Sequence, residues 1–130
     1  MDENEDWKQW FRLAELDFSV AEHLAANMYP TPNEPICFHC QQSAEKYLKG
    51  YLVFNGIEPP KIHALPILLE MCEKISADYS ELFKKCVFLN KFGTLPRYPN
   101  ELEITDGDIR VALGFTKDIK EFIRNKINCS

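Results

Sequence analysis

Three polar side chains share one face of a predicted helix near the middle of the chain. Gln42, Lys46 and Lys49 follow one another at steps of four and three residues, which places them on one side of an α-helix. Ammonium groups on a rigid helix bind phosphate as point charges, so this face is a candidate phosphate or nucleotide contact. The alternative is a solvated face on which Glu45 pairs with Lys49 and stabilises the helix by roughly 0.2–0.5 kcal/mol.

A lone histidine follows the segment Pro59-Pro60-Lys61-Ile62, where a loop leads into the next predicted helix. Free backbone N–H groups favour anions at such a helix start, so His63 is a candidate ligand contact. A histidine in this position can equally be a structural residue whose hydrogen bonds fix the loop.

An arginine and a tyrosine stand side by side in the long irregular stretch of residues 93–105. The guanidinium fork of Arg97 could hold a phosphate, and the ring of Tyr98 could stack on a base. In the alternative, Tyr98 covers one end of the fold while Arg97 pairs with Glu101 or Glu103.

The segment Cys37-Phe38-His39-Cys40 has the ligands of half a zinc site. The second half is missing, because Cys72, Cys86 and Cys129 stand alone. We therefore expect Cys37 and Cys40 to be small buried thiols on a helix face, and predict neither a metal nor a cofactor. Gly-rich phosphate loops, Ser-His-Asp order and His-x-x-x-His spacing are absent from the sequence as well.

The composition is that of one ordinary globular domain covering residues 1–130. A chain of 130 residues with 45% apolar side chains can build a core without metal or disulfide support. Its 15 basic and 20 acidic side chains give a net charge of −5, so a site for a polyanion must be local. The acidic start, the odd number of cysteines and the lack of a long apolar run predict a cytosolic protein without a membrane segment.

Apolar spacing predicts helices through most of the chain. Apolar or small residues recur at steps of three and four, and clusters of prolines separate the first three such segments. Thr105 followed by Asp108 resembles a capping box that opens the last helix. The predicted helices cover residues 5–28, 34–55, 64–77 and 79–92, with a last helix from residue 105. The pattern predicts an all-α, antiparallel up-and-down bundle of four or five helices.

The first predicted helix carries more aromatic surface than one bundle seam needs. Trp7, Trp10, Phe11 and Phe18 widen its apolar stripe. A surplus apolar patch often marks an interface, so we expect a homodimer. The alternative is that the loop of residues 93–104 folds over the stripe.

The run FHCQQSAEKYLKGYL at residues 38–52, followed by Gly56, Pro59-Pro60-Lys61 and His63, closely resembles the HEPN domain family. The later Arg97-Tyr98-Pro99 matches as well, and the resemblance spans essentially the whole chain. It implies an all-α bundle that is commonly dimeric. In prokaryotes it further implies association with small nucleotidyltransferase partners, toxin–antitoxin modules and nucleotide or RNA binding.

The ribonuclease motif of catalytic HEPN proteins is absent. Those proteins carry an arginine four to six residues before a histidine on a late helix, and two such sets meet across a dimer. Here no histidine follows Arg97, Arg110 or Arg124, and Arg12 precedes His23 by eleven positions. The resemblance therefore favours a non-catalytic member.

We expect a non-catalytic HEPN-type binding module, a homodimer that binds a nucleotide or a small nucleotidyltransferase partner in a toxin–antitoxin-like system. The lysines and the arginine would hold phosphates, the tyrosine would stack on the base, and the histidine would donate to phosphate or fix its loop. The candidate ligand-binding residues are Gln42, Lys46, Lys49, His63, Arg97 and Tyr98.

Two other functions stay open at this point. One is a ribonuclease toxin in which His39 or His63 carries the proton beside Arg97. The other is a dimerisation adaptor without a ligand, in which the polar face of the second helix is merely exposed to solvent. Binding of RNA is left undecided.

Overall fold

Helices account for most of the described residues. The computed structural model describes residues 6–93 and 103–128, and these contain no strand. The elements are α1 (Asp6–Asn27), α2 (Asn33–Phe54), α3 (Leu65–Glu73), a 3-10 helix (Ala77–Leu82), α4 (Phe83–Asn90) and α5 (Asp106–Asn128). The predicted all-α helical bundle is confirmed. Within these residues no helix has both the length and the apolar character needed to cross a membrane.

The third and fourth predicted helices are divided differently from the prediction. Spacing predicted helices over 64–77 and 79–92, whereas α3 ends at Glu73 and a 3-10 helix precedes α4. Ser76 has an extended backbone, with φ −145° and ψ 110°, and its Oγ donates a hydrogen bond to Asp78 Oδ1 at 2.5 Å. The extended backbone of Ser76 interrupts the helix between α3 and the 3-10 helix.

The contact between α1 and α2 is unusually close at one point. A Cβ atom on Gly50 would lie 2.6 Å from Cδ1 of Phe11, so the lack of a side chain there lets the helices approach. Farther along the same contact, Ser43 Oγ donates a hydrogen bond to the carbonyl oxygen of Ala14 at 2.8 Å. These two contacts fix how the helices lie along each other.

The aromatic stripe of α1 is largely covered by the chain itself. Phe11 and Phe18 are 5% and 4% exposed. Trp7 packs edge to face on Phe54 of α2, with ring centroids 5.3 Å apart. The surplus surface behind the homodimer prediction is therefore smaller than the spacing suggested, and the dimer stays a prediction. Most of the alternative covering loop, residues 94–102, lies outside the described residues.

The loop between α2 and α3 carries His63 and is held from both sides. Gly56 has φ +77°, a left-handed conformation that favours glycine and lets the chain turn after α2. The side chain of Gln41 donates a hydrogen bond to the carbonyl oxygen of His63 at 3.0 Å. The N–H of Leu65 donates to Oδ1 of Asn90 at 2.9 Å. The loop is thus anchored to α2 and to the end of α4.

The last helix, α5, begins at the predicted capping box. The N–H of Thr105 donates to Oδ2 of Asp108 at 3.0 Å, and the N–H of Asp108 donates to Oγ1 of Thr105 at 3.1 Å. This reciprocal pair satisfies helix-end donors that would otherwise lack partners. The predicted cap is confirmed. The buried residues of α5 are Ile109, Ala112, Thr116, Ile119 and Ile123.

Candidate functional site

Lys49 and Glu45 form the predicted pair one helical turn apart, but the pair lies inside the fold. The Lys49 ammonium is 3.1 Å from Glu45 Oε2, and the two residues are 6% and 4% exposed. The alternative of a solvated face is therefore wrong at Lys49. One reason is Trp10 of α1, whose ring centroid lies 5.8 Å from the ammonium nitrogen. Burying two charges costs free energy that close pairing and further hydrogen bonds must offset.

Three residues spaced one turn apart on α2, Gln41, Glu45 and Lys49, form a buried polar ladder. Gln41 is completely buried, and its Nε2 donates to Glu45 Oε1 at 3.4 Å. The Nδ1 of His63 lies 3.1 and 3.0 Å from the two carboxylate oxygens of Glu45. Because an ionised carboxylate only accepts hydrogen bonds, these contacts place a hydrogen on Nδ1. The polar ladder thus links an exposed imidazole to a buried ammonium.

A groove of about 930 Å³ opens beside Lys49, between the start of α1, the end of α2 and the loop that follows. Trp7 and Trp10 of α1 line it together with Phe54 and Lys49 of α2. Its volume falls in the range of small-molecule sites, roughly 300–1,000 Å³. The other lining residues are Asp6, Val53, Gly56, Ile57, Glu58, Pro59, Pro60 and Lys61.

Charged groups of both signs line the groove. Lys49 is engaged by the polar ladder, whereas Asp6, Glu58 and Lys61 have no ion-pair partner among the described residues. Aromatic walls, two unpaired carboxylates and one unpaired ammonium therefore meet in a single cavity. Such a set can stack on a planar ring, accept hydrogen bonds from hydroxyl groups and attract one anionic group.

The family model of the HEPN domain matches residues 7–126. The chain belongs to the HEPN family. Among solved structures, ST0689, an archaeal HEPN homologue, is 27% identical over 93% of this chain and 97% of its own, with a TM-score of 0.72. TT1696 from Thermus thermophilus is 22% identical over 95% of this chain and 98% of its own, with a TM-score of 0.75, a likeness that concerns the fold alone. No curated protein matches the chain.

In this HEPN domain Lys46 belongs to a different ion pair from Lys49. The Lys46 ammonium contacts the carboxylate of Asp17 on α1. The other oxygen of that carboxylate lies 2.9 Å from Nδ1 of His39. The structure therefore does not bring the two lysines together as one basic face, because each lysine is neutralised by a separate carboxylate.

The other predicted site residues have different positions. Gln42 is half-buried and donates a hydrogen bond to its neighbour on the polar ladder at 2.8 Å. Arg97 and Tyr98 lie outside the described residues, so their predicted contacts with a phosphate and a base stay predictions. Of the predicted set, the structure connects Lys49 and His63 through Glu45, and Gln42 joins them through Gln41.

Sequence reasoning missed the centre of this site. Gln41 was not singled out, and Glu45 was noted only as a helix-surface partner of Lys49. The signal was present, because polar residues at four-residue steps on an otherwise apolar helix face indicate a buried network rather than a surface. Trp7 and Trp10 were noted only as part of a surplus apolar stripe, and both line the groove.

Cys37 and Cys40 are buried free thiols, as predicted. Burial raises the pKa of each thiol to about 12, so both are protonated and weak nucleophiles near neutral pH. No group of three or more His, Cys, Asp or Glu side chains among residues 6–93 and 103–128 is placed to hold a metal ion.

A second charged cluster ties α5 to α1 and α2. Glu15 accepts hydrogen bonds from Tyr47 at 2.7 Å and from Lys120 at 2.8 Å, and Arg124 lies 3.9 Å away. Partial burial raises the pKa of Glu15, but the hydrogen bonds from Lys120 and Tyr47 outweigh it and leave the pKa below its ordinary value. These contacts hold three helices together, away from the groove.

Proposed function

We propose that this HEPN domain is a non-catalytic binding module whose groove holds a nucleotide. The observation that carries the proposal is the position of both tryptophans of the chain, Trp7 and Trp10, in one groove with Lys49 and Lys61. Base stacking on an aromatic ring contributes about 1–3 kcal/mol per base, which is a large share of the affinity of a small ligand.

Each part of a nucleotide has a matching group in the groove. The base would stack on the indole of Trp10 or Trp7. The ribose hydroxyls would donate hydrogen bonds to Asp6 or Glu58, as hydroxyl groups of sugars do to carboxylates. The phosphate would lie nearest Lys61, whose ammonium has no ion-pair partner among the described residues.

His63 would position this site and not react in it. Its Nδ1 is engaged by Glu45, and Gln41 holds its carbonyl oxygen. These bonds support the loop that includes Lys61. The alternative of a ribonuclease that uses His39 or His63 requires Arg97 nearby, and Arg97 lies outside the described residues.

Intrinsic fluorescence tests the proposal directly, because both indoles of the chain line the groove. Adenosine monophosphate should quench the tryptophan signal saturably, after correction with free N-acetyltryptophanamide. Lys61→Glu should weaken this binding, whereas Lys74→Glu, an exposed lysine at the end of α3, should leave it unchanged. No saturable quenching and no heat of binding at millimolar nucleotide would overturn the proposal.

A homodimer, a small nucleotidyltransferase partner, a toxin–antitoxin role and a cytosolic location belong to the same proposal. The exposed side chains of Leu13 and Leu16 on α1 support an interface there, and Leu16 lines a shallow depression of about 370 Å³. The buried free thiols suit a reducing compartment. Light scattering that shows a monomer at micromolar concentration would contradict the dimer.

A further inference from the structure

The charged residues of the groove limit how much negative charge a bound ligand can carry. Among the described lining residues two are acidic, Asp6 and Glu58, and two are basic, Lys49 and Lys61. Lys8 lies over the ring of Trp7, 5.7 Å from its centroid, but outside the lining. Lys49 is already neutralised, so Lys61 is the one lining cation of the described part of the chain that is free for a ligand.

The carboxylate of Glu45 is a negatively charged group of the protein itself that is surrounded by hydrogen-bond donors. Its carboxylate lies 3.1 Å from the Lys49 ammonium and 3.0 Å from Nδ1 of His63, and accepts a longer hydrogen bond from Gln41. These are the kinds of donors that would surround a ligand phosphate. Because Glu45 is 4% exposed and pairs with Lys49, it occupies the ammonium group that a ligand phosphate would otherwise contact.

We infer that the groove selects nucleosides and nucleoside monophosphates over di- and triphosphates, and that Glu45 sets this limit. The inference rests on the proposed function and names the ligand class of the same site. A single phosphate carries roughly 1.5–2 negative charges at neutral pH, and the one positive charge of Lys61 balances about half to two thirds of them. Each further phosphate adds negative charge near Asp6 and Glu58, and the described lining residues offer no further unpaired cation, because Glu45 already neutralises Lys49.

Replacing Glu45 separates this effect from general binding. Glu45→Gln keeps the size and a hydrogen-bond acceptor but removes the internal anion, so Lys49 becomes available to a second phosphate. Glu45→Asp keeps the charge on a shorter side chain. The matched control is Glu15→Gln, because Glu15 is also paired with a lysine but lies outside the groove.

The experiment titrates adenosine and its mono-, di- and triphosphates into each protein without divalent metal, with tryptophan fluorescence as the readout. The wild type and Glu15→Gln should bind the monophosphate best and lose about threefold or more in affinity per added phosphate, less at high salt. Glu45→Gln should reduce or reverse the loss of affinity per added phosphate, and Glu45→Asp should keep that loss. Circular dichroism checks that each variant retains its helicity.

Each outcome has a distinct meaning. A wild-type protein that binds triphosphate more tightly than monophosphate overturns the inference while leaving the proposed function standing. A preference that is unchanged in Glu45→Gln removes Glu45 from the explanation. If Glu45→Gln loses its helicity, the Glu45→Asp series decides, because a lost preference with the charge retained contradicts an electrostatic limit. Failure of all four ligands to quench the wild type refutes the proposed function and the inference with it.

Discussion

The imidazole Nδ1 of His63 lies 3.0 Å from Oε2 of Glu45, which joins a side chain that is 73% exposed to a residue that is 4% exposed. The same carboxylate pairs with Lys49, a residue that lines the groove. One acceptor therefore couples the loop after α2, the core of the bundle and the wall of the groove. A substitution at Glu45 should therefore affect the loop after α2, the core and the groove together.

Removing the carboxylate should destabilise the fold strongly. Glu45→Ala leaves Lys49 buried without its partner, and breaking one side of a buried pair costs about 3–5 kcal/mol. The measurement is the free energy of unfolding from urea titration. The control is Asp118→Ala, because Asp118 is half-exposed and 3.7 Å from Lys85, and such surface pairs contribute about 0–1 kcal/mol. Equal losses of unfolding free energy in the two variants would contradict a buried ion pair between Glu45 and Lys49.

The buried thiols should be unreactive in the folded protein. Burial raises the pKa of Cys37, Cys40, Cys72 and Cys86 to about 12, so the reactive thiolate is scarce near neutral pH. In a Cys129→Ser variant, Ellman's reagent should modify none of the four rapidly in buffer and all four in urea. A thiol that reacts at once in the native protein would contradict this packing.

Periodicity and prolines were sufficient to predict the long helices. The predicted segments 5–28 and 34–55 differ from α1 and α2 by one residue at each end. The local rules succeed here because apolar spacing defines the buried face, and prolines exclude a continuous helix between the two segments. The capping box of α5 was equally local, since its two residues are three positions apart.

The burial of Lys49 could not be predicted in this way. It depends on Trp10 of α1 and on the loop that brings His63 back to α2, contacts between residues far apart in sequence. Helical spacing gives the direction of Lys46 and Lys49 on α2 but not which element covers each of them. The sequence therefore predicted the right helix and one correct pair, while the tertiary fold decided that Lys46 pairs with Asp17 and that Lys49 is buried.

Two glycines in helix interiors should respond to alanine in opposite ways. At Gly50 a new Cβ would lie 2.6 Å from the ring of Phe11, so Gly50→Ala should cost about 1–3 kcal/mol through overpacking. At Gly114, exposed on α5, a new Cβ meets nothing within 4 Å, so Gly114→Ala should stabilise the protein by about 0.5–1 kcal/mol. Urea unfolding measures both, and a stabilising Gly50→Ala would contradict the close approach of α1 and α2.

The cap of α5 should make stability depend on pH in a defined direction. The backbone N–H of Thr105 holds the pKa of Asp108 below its ordinary value, because the hydrogen bond favours the ionised carboxylate. A carboxyl group with a lowered folded-state pKa stabilises the fold above its unfolded pKa, about 3.9 for aspartate. That stability is lost as the pH falls through the folded-state pKa.

Asp108→Ala should therefore be less stable than the wild type by a constant amount near neutral pH, and the difference should shrink once the pH falls below about 4. Urea unfolding of both proteins across this pH range measures it. Thr105→Ala removes the other half of the cap and should cost about 1 kcal/mol. Asp106→Ala, in the same first turn, controls for the loss of a negative charge near the helix N-terminus. A stability difference for Asp108→Ala that persists undiminished in acid would mean that the carboxylate charge does not stabilise the cap.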